Sequence, residues 1–428
     1  MNIYISGISG TGMGPLALMA KKAGFNVSGS DPMRGAIYEE LVQAGIDVKI
    51  GVQDGEFLKQ KIDEGVDWFV YTSALPEDHP ELILARNAGI KCTKRDEFTA
   101  FLVDELKLKM VAVAGTHGKT TTTAMIVWAA LKTKLPASYI VGTTLGFAPS
   151  GSYHKGDKYF IYEADEYDRN FLKYHPWLAV IPSISYDHPD IYPTKEDYKK
   201  AFEQFKKQSR KVIENTRDGL KNNMGDGIMV GPEDFKLAGK VRRIDAALAT
   251  EAVIQMIFQD AEDDGMMISF TPFPIVDIMN KFPGVGRRFE RIGDGVYTDY
   301  AHHPEEIVAT MNVAREEAEL RDKKGVVVVY QPHQNTRQHK VKDGYVNAFD
   351  GAHKVFWLPT YLTREDKSLP VIKPEEFIEE LANKDIAEVA ELDDELEAKL
   401  KKYVGEGYLV ILMTAGPADE WFRKTFML

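Results

Sequence analysis

One cysteine stands among the 428 residues, Cys92, so no intrachain disulfide can form. The fold must therefore be held by its cores, and such sparing use of cysteine suits a reducing compartment. Next to Lys91 and close to Ile90, Cys92 reads as a small buried residue rather than a nucleophile. No apolar run approaches the roughly 20 residues that a membrane-spanning helix needs. The chain opens directly on a strand pattern, Asn2 to Gly7, without the basic segment and cleavage site of a secretory leader, which predicts a cytoplasmic protein. Positive charge is also short: 53 Lys and Arg against 65 Asp and Glu leave a net charge of −12. That balance excludes a nonspecific nucleic-acid binder and predicts no nucleic-acid partner. Any bound anion must be met by local Lys, Arg and backbone N–H groups. Fixed-period repeats and low-complexity tracts are absent.

What is present is core material. Hydrophobic residues make up 44% of a chain long enough for roughly two to four domains. The most telling stretch is Gly115-Thr116-His117-Gly118-Lys119-Thr120-Thr121. Met110 to Ala114 before it is apolar and valine-rich, as a buried strand is. Thr122 onward opens an apolar helix pattern. Strand, glycine turn, Lys-Thr and helix is the arrangement that cradles nucleotide phosphates. The glycines let backbone N–H groups converge as an anion nest, and the helix start adds its positive dipole end. Lys119 can reach the outer phosphates and the Thr120 hydroxyl can bind Mg²⁺.

Before this loop the pattern is also βαβ-like. A strand over 2–6 runs into Gly7-Ile8-Ser9-Gly10-Thr11-Gly12-Met13, then a helix to about Gly24, then a strand ending at Asp31. A glycine turn after the first strand and an acid after the second is a Rossmann-type layout, here spaced GxxGxG. Further strands are predicted at 46–50, 67–72 and 90–92. Beyond the phosphate loop, strands are predicted at 159–163 and 178–183, a loop over the Gly/Asn/Asp-rich stretch 214–227, and a helix over 245–259. A third region follows a hinge at Gly284 to Arg288, with strands at 296–299, 326–330, 354–358 and 408–413 and a helix at 304–320. The charged run from Glu391 to Lys402 reads as a solvated helix face. The fold class is α/β, with three domains. These are a Rossmann-like N-terminal domain over 1–107, a central P-loop ATPase-type domain over 108–281, and a C-terminal Rossmann-like domain over 282–428.

Chemistry gathers where predicted strands end. Glu163-Ala164-Asp165-Glu166-Tyr167-Asp168 closes one strand with four carboxylates, which repel one another unless cations or water screen them. A Mg²⁺ carboxylate is needed at such a strand end beside a phosphate loop, and Glu163 is placed for it. Asp187-His188-Pro189-Asp190 follows the next strand, where His188 could approach the same metal or phosphate. Asp299-Tyr300-Ala301-His302-His303-Pro304 and His333-Gln334-Asn335-Thr336-Arg337 lie after strands of the third region. Their histidines have irregular spacing and no accompanying Cys, which favours substrate and phosphate contacts over a zinc site.

Together these motifs resemble the Mur ligase family across nearly the whole chain. The phosphate loop with His117, the opening Gly7 to Met13 with Ser28-Gly29-Ser30-Asp31, and Thr72-Ser73-Ala74 all fit. So do the runs 163–168, 187–190, 286–289 and 299–304. The resemblance implies an ATP- and Mg²⁺-dependent amide ligase of cell-wall synthesis. It would join L-alanine to the lactyl carboxylate of UDP-N-acetylmuramate through an acyl phosphate. By the same resemblance Gly7, Ser9, Gly10, Thr11, Gly12, Met13, Asp31 and Ser73 would bind the UDP-sugar. Gly115 to Thr121 would bind ATP, and Lys119 would stabilise the transferring phosphoryl group. Thr120 and Glu163 would hold one metal ion and His188 a second. Glu203, fifteen residues after His188, stands where some members carry a carbamylated lysine and would be a further metal ligand. Tyr300, His303 and Arg337 would meet the amino acid, with Arg337 on its carboxylate. Two departures keep alternatives open. The family's usual adenine segment reads Gly239-Lys240-Val241-Arg242-Arg243-Ile244-Asp245-Ala246 here, without its His and both Asn, which leaves room for a non-ligating nucleotide or UDP-sugar binder. Gln334 replaces one of two expected arginines, which leaves room for a ligase that takes a whole tripeptide.

Overall fold

In the computed structural model all residues are described except 36, 73–74, 187–190, 225–226, 268, 364, 367 and 427–428. The chain forms two compact units: Met1–Lys236 with Arg243–Phe282, and Leu237–Arg242 with Pro283–Leu428. Three sheets are distributed over them.

The first unit carries two sheets. Strands β1 (Asn2–Ser6), β2 (Asn26–Asp31), β3 (Asp47–Ile50), β4 (Trp68–Tyr71) and β5 (Lys91–Lys94) make the first, in the order β3-β2-β1-β4-β5. All pairs are parallel. The second holds β6 (Lys109–Val113), β7 (Ala137–Ile140), β8 (Gly151–Ser152), β9 (Tyr159–Glu163), β10 (Leu178–Ile181), β11 (Lys211–Thr216) and β12 (Gly219–Asn222). Its order is β12-β11-β10-β6-β9-β7-β8, parallel in the middle and antiparallel at both edges. Helices cover the faces, as parallel strands require when both sides must be dry. A continuous core runs from Ile3, Ile5 and Leu16 to Ala112, Phe160 and Phe202. Among the described residues no helix is long and apolar enough to cross a membrane. Cys92 is partly buried, its thiol is pushed up by desolvation, and Sγ rests on the Ile90 carbonyl.

The second unit has one sheet, with β13 (Glu290–Gly293), β14 (Val296–Asp299), β15 (Val326–Gln331), β16 (Ala352–Trp357), β17 (Ala387–Val389) and β18 (Leu409–Thr414) in the order β13-β14-β18-β15-β16-β17. Along β15 the valines alternate: Val326 and Val328 join one core, Val327 and Val329 the other. This two-sided burial is why the run is apolar throughout rather than amphipathic.

Two expectations are corrected. The stretch 214–227 is not all loop, because β11 and β12 pair as an antiparallel hairpin from Ile213↔Asn222 to Thr216↔Gly219. Its two-residue turn is Arg217-Asp218, and Gly219, at φ +106°, opens β12 directly after it. The helix expected at 245–259 is longer, Lys240–Asp263.

Candidate active site

Strand order places the chemistry. Central β6 delivers the phosphate loop, with β9 on one side and β10 on the other. Val113, the last residue of β6, stands level with Glu163, the last of β9. The loop is braced from the segment after β10. Thr116 N donates to Ser183 O and His117 N donates to Ser183 Oγ at 2.8 Å. Thr116 Oγ1 donates to Ser185 O at 2.6 Å and accepts from Ser185 N. The His117 side chain is exposed.

Glycine is required at two points of this turn. Gly115 lies at φ +157°, and a Cβ there would stand 2.7 Å from Ser183 O. Gly118, at φ +84°, caps helix Lys119–Thr133, and a Cβ there would stand 2.7 Å from Asp245 Oδ1 and 3.0 Å from Pro182 Cβ. Asp245, from the segment that departs from the usual adenine motif, thus lies against the phosphate loop.

Lys119 and Thr120 reach different carboxylates. Thr120 Oγ1 donates to Glu163 at 2.9 Å. Lys119 Nζ donates to Gly115 O at 2.6 Å and to Glu166 Oε1 at 2.9 Å. Glu166 is 1% exposed and Lys119 17%, so the carboxylate is buried and its ammonium partner partly so. Burial pushes the Glu166 carboxyl up, and the neighbouring ammonium pulls it back. The acidic run singled out Glu163 but missed Glu166, whose partner is chosen only by the fold. Thr121, the third residue of the helix, is partly buried.

Glu203 is not brought into this group. It is on the exposed side of helix Lys195–Gln208, with its carboxylate 2.7 Å from Lys206. The buried face of that helix is occupied by Tyr198, Ala201, Phe202 and Phe205. Among the described residues no three His, Cys, Asp or Glu side chains assemble as a metal-holding group. His188 and Ser73 lie outside the described residues.

The glycine turn after β1 is tied to β2. Gly7 N and Ile8 N both donate to Ser30 O. The Asp31 carboxylate accepts from Ser9 N at 2.9 Å and from Met33 N at 3.1 Å. Burial raises this carboxyl against those two donors. Asp31 therefore braces the turn from within, while Gly10 and Thr11 are exposed on it and Met13 is buried under it.

In the second unit, buried Asp299 accepts from Phe289 N at 2.7 Å and Ala301 N at 2.8 Å, and its carboxyl is raised by burial. This clamps 287–289 beside Tyr300, whose ring lies under the Arg287 guanidinium at 4.7 Å and the Arg288 guanidinium at 5.1 Å. His303 caps helix Pro304–Leu320 and accepts from Glu305 N. It is the neighbouring His302 whose ring meets His333, with centroids 5.7 Å apart. Burial lowers both imidazoles. Among the described residues Arg337 Nη1 is buried without a hydrogen-bond partner. His302 and His333 thus belong to the two histidine-bearing runs that the sequence marks for substrate and phosphate contacts, and Arg287 lies in the 286–289 run of the family resemblance.

The chain matches three family descriptions: "Mur ligase family, catalytic domain" over residues 2–106, "Mur ligase middle domain" over 113–226, and "Mur ligase, glutamate ligase domain" over 287–416. It is 30% identical to a UDP-N-acetylmuramate–L-alanine ligase of Symbiobacterium thermophilum, over 98% of this chain and 92% of that one. A protein of the same name from Carboxydothermus hydrogenoformans is 31% identical over 98% of this chain and 94% of its own length. The fold is similar to the solved UDP-N-acetylmuramate-alanine ligase of Thermotoga maritima, with a TM-score of 0.76 at 22% identity, covering 99% and 98% of the two chains. A murein peptide ligase from Psychrobacter arcticus is less similar, with a TM-score of 0.58 at 22% identity over 99% and 98%.

Proposed function

The chain belongs to the Mur ligase family, and from that premise we propose that it is an ATP-dependent ligase joining L-alanine to the lactyl carboxylate of UDP-N-acetylmuramate. A carboxylate resists attack by an amine because its charge is delocalised and oxide is a poor leaving group. Transfer of the γ-phosphoryl group of ATP to one oxygen makes an acyl phosphate. The amine then adds to the carbonyl carbon, and the C–O bond to phosphate breaks, giving amide, ADP and phosphate.

The observation that carries this reading is the Lys119–Thr120–Glu163 constellation around two glycines that admit no Cβ. A hydroxyl and a carboxylate 2.9 Å apart are the hard oxygen donors that suit Mg²⁺, which keeps most of its waters and needs few protein ligands. Mg²⁺ bound there would neutralise charge on the transferring group. Lys119 would exchange its bonds to Gly115 O and Glu166 for phosphate oxygens. Gly115 to Thr121 would surround the ATP phosphates, and His188 would serve a second metal ion. Gly7, Ser9, Gly10, Thr11, Gly12 and Met13, with Ser73, would take the UDP-sugar on a turn held by Asp31. Arg337, whose buried Nη1 has no partner among the described residues, suits the alanine carboxylate, and Tyr300 and His303 would stand near the amine. We assign these roles to domains 1–107, 108–281 and 282–428 of a cytoplasmic enzyme.

The test is phosphate release with UDP-N-acetylmuramate, ATP and Mg²⁺, adding L-alanine, glycine, L-serine or L-Ala-γ-D-Glu-meso-diaminopimelate in parallel. Release that depends on L-alanine is expected. Release with the tripeptide alone would reassign the acceptor, for which Gln334 in place of an arginine is the motivating feature. Glu163→Gln should lower turnover roughly 100-fold or more while leaving UDP-sugar binding intact. Equal turnover would remove Glu163 from the metal site.

A further inference from the structure

Arg95 lies at the first position of helix Arg95–Glu105, immediately after β5. Its guanidinium is held from one side. Asp96, itself 4% exposed, stands 3.3 Å from both Nε and Nη2. Asp96 is fixed in turn by the Tyr174 hydroxyl, which donates to it at 3.1 Å. Asp165, from the acidic run after β9, stands 4.0 Å from Nη2. Nη1 is directed elsewhere, against the glycine turn after β1. A Cβ built on Gly12 would stand 2.5 Å from Nη1, 3.6 Å from Cζ and 3.7 Å from Cδ. Glycine at position 12 therefore makes room for this side chain. Close by, Lys94 pairs with Asp168 at 3.3 Å.

A guanidinium pinned at two nitrogens and presenting the third to a glycine turn is pre-organised for an anion. Held on its Nε and Nη2 side, it would lose little freedom on binding, and a charge-assisted N–H bond from Nη1 to a phosphate oxygen is among the stronger ones. The N–H groups of Gly7, Ile8, Ser9, Gly10 and Met13 are already bonded within the turn or to β2, so Nη1 is the side-chain donor presented there. We propose that Arg95 binds the diphosphate of the nucleotide-sugar through Nη1, and that Gly12 is glycine so that this contact can form. The inference rests on the UDP-sugar reading given above. Because Arg95 also faces Asp165, the same side chain links the turn of the first sheet to the acidic run of the second.

The experiment measures equilibrium binding of UDP and of uridine to the full-length chain by NMR titration, for the unaltered protein, Arg95→Gln and Arg95→Lys. Hydrogen bonds to charged groups are among the stronger ones. UDP binding should weaken roughly tenfold or more in Arg95→Gln, with uridine unchanged within about twofold. Arg95→Lys, which keeps the charge but loses the fork, should weaken UDP binding by a smaller factor and leave uridine alone. UDP affinity unchanged in both variants would overturn the proposal, as would equal weakening of UDP and uridine, which is the mark of a purely structural ion pair. If Arg95→Gln does not fold, Arg95→Lys decides by the same UDP-to-uridine comparison. An unaltered protein that binds neither ligand would instead overturn the UDP-sugar reading.

Discussion

Replacing Lys119 with methionine should damage stability in a way that depends on pH, separately from its effect on catalysis. Lys119 Nζ is 2.8 Å from a Glu166 oxygen, and that carboxylate is 1% exposed. The substitution keeps most of the apolar stem but removes the cation. Removing the cation of a fully buried pair costs about 3–5 kcal/mol, and because Lys119 is 17% exposed the lower end, about 3 kcal/mol, applies here. Glu166 has an escape, which is to bind a proton. Its carboxyl is already raised by burial and held down by Lys119, so losing Lys119 raises it further. The sign follows. Above the unfolded value of about 4.3, the folded variant holds a proton that the unfolded chain has released, so stability falls as pH rises through this window. Below it both states are protonated and the deficit closes. Thermal unfolding at pH 8 should show a loss of roughly 6 °C or more, at about 2 °C per kcal/mol, shrinking towards pH 5. Lys119→Met/Glu166→Gln should recover most of that loss without recovering phosphate release. A deficit that is flat with pH, or a double variant as unstable as the single one, would refute the reasoning.

Gly118→Ala should raise KM for ATP about tenfold or more. A left-handed alanine costs roughly 1–2 kcal/mol, and its methyl would meet Asp245 and Pro182. UDP binding, which we propose lies on a different sheet, should hold, and Asp245→Ala should not rescue the variant because the backbone strain remains. An unchanged KM for ATP would count against the loop geometry. In the second unit, burial lowers His302 and His333, so NMR titration should find both midpoints below about 6.5. Groups of this sign take up protons more readily when unfolded, so the second unit should lose stability as pH falls from about 6.5 through those midpoints. Midpoints at or above 6.5 would contradict the burial described.

The legible features were local ones. The strand expected at 326–330 and the helix expected at 304–320 stand at Val326–Gln331 and Pro304–Leu320. The hairpin β11–β12 was missed because its polar, glycine-rich wording reads as loop. Glu203 was chosen by its distance along the chain from His188, and distance along the chain says nothing of helix phase. Its neighbours Phe202 and Phe205 take the buried side, which turns Glu203 to solvent. Asp31 was expected on the ligand, yet both of its oxygens are used on backbone N–H groups of the turn it was paired with.

By itself the sequence determined the glycine turn between β6 and the helix at Lys119, the glycine turn at the start of the chain and the α/β alternation. These rest on residues within a few positions of one another, where backbone freedom and periodicity act directly. The tertiary structure alone decided the partners. It set Lys119 on Glu166 and Thr120 on Glu163, put His302 rather than His303 against His333, and left Arg337 Nη1 buried with no partner among the described residues. Such pairs join segments far apart in the chain. They depend on strand register, as between Val113 and Glu163, and on which side chains lose their water, and neither is encoded within any one segment.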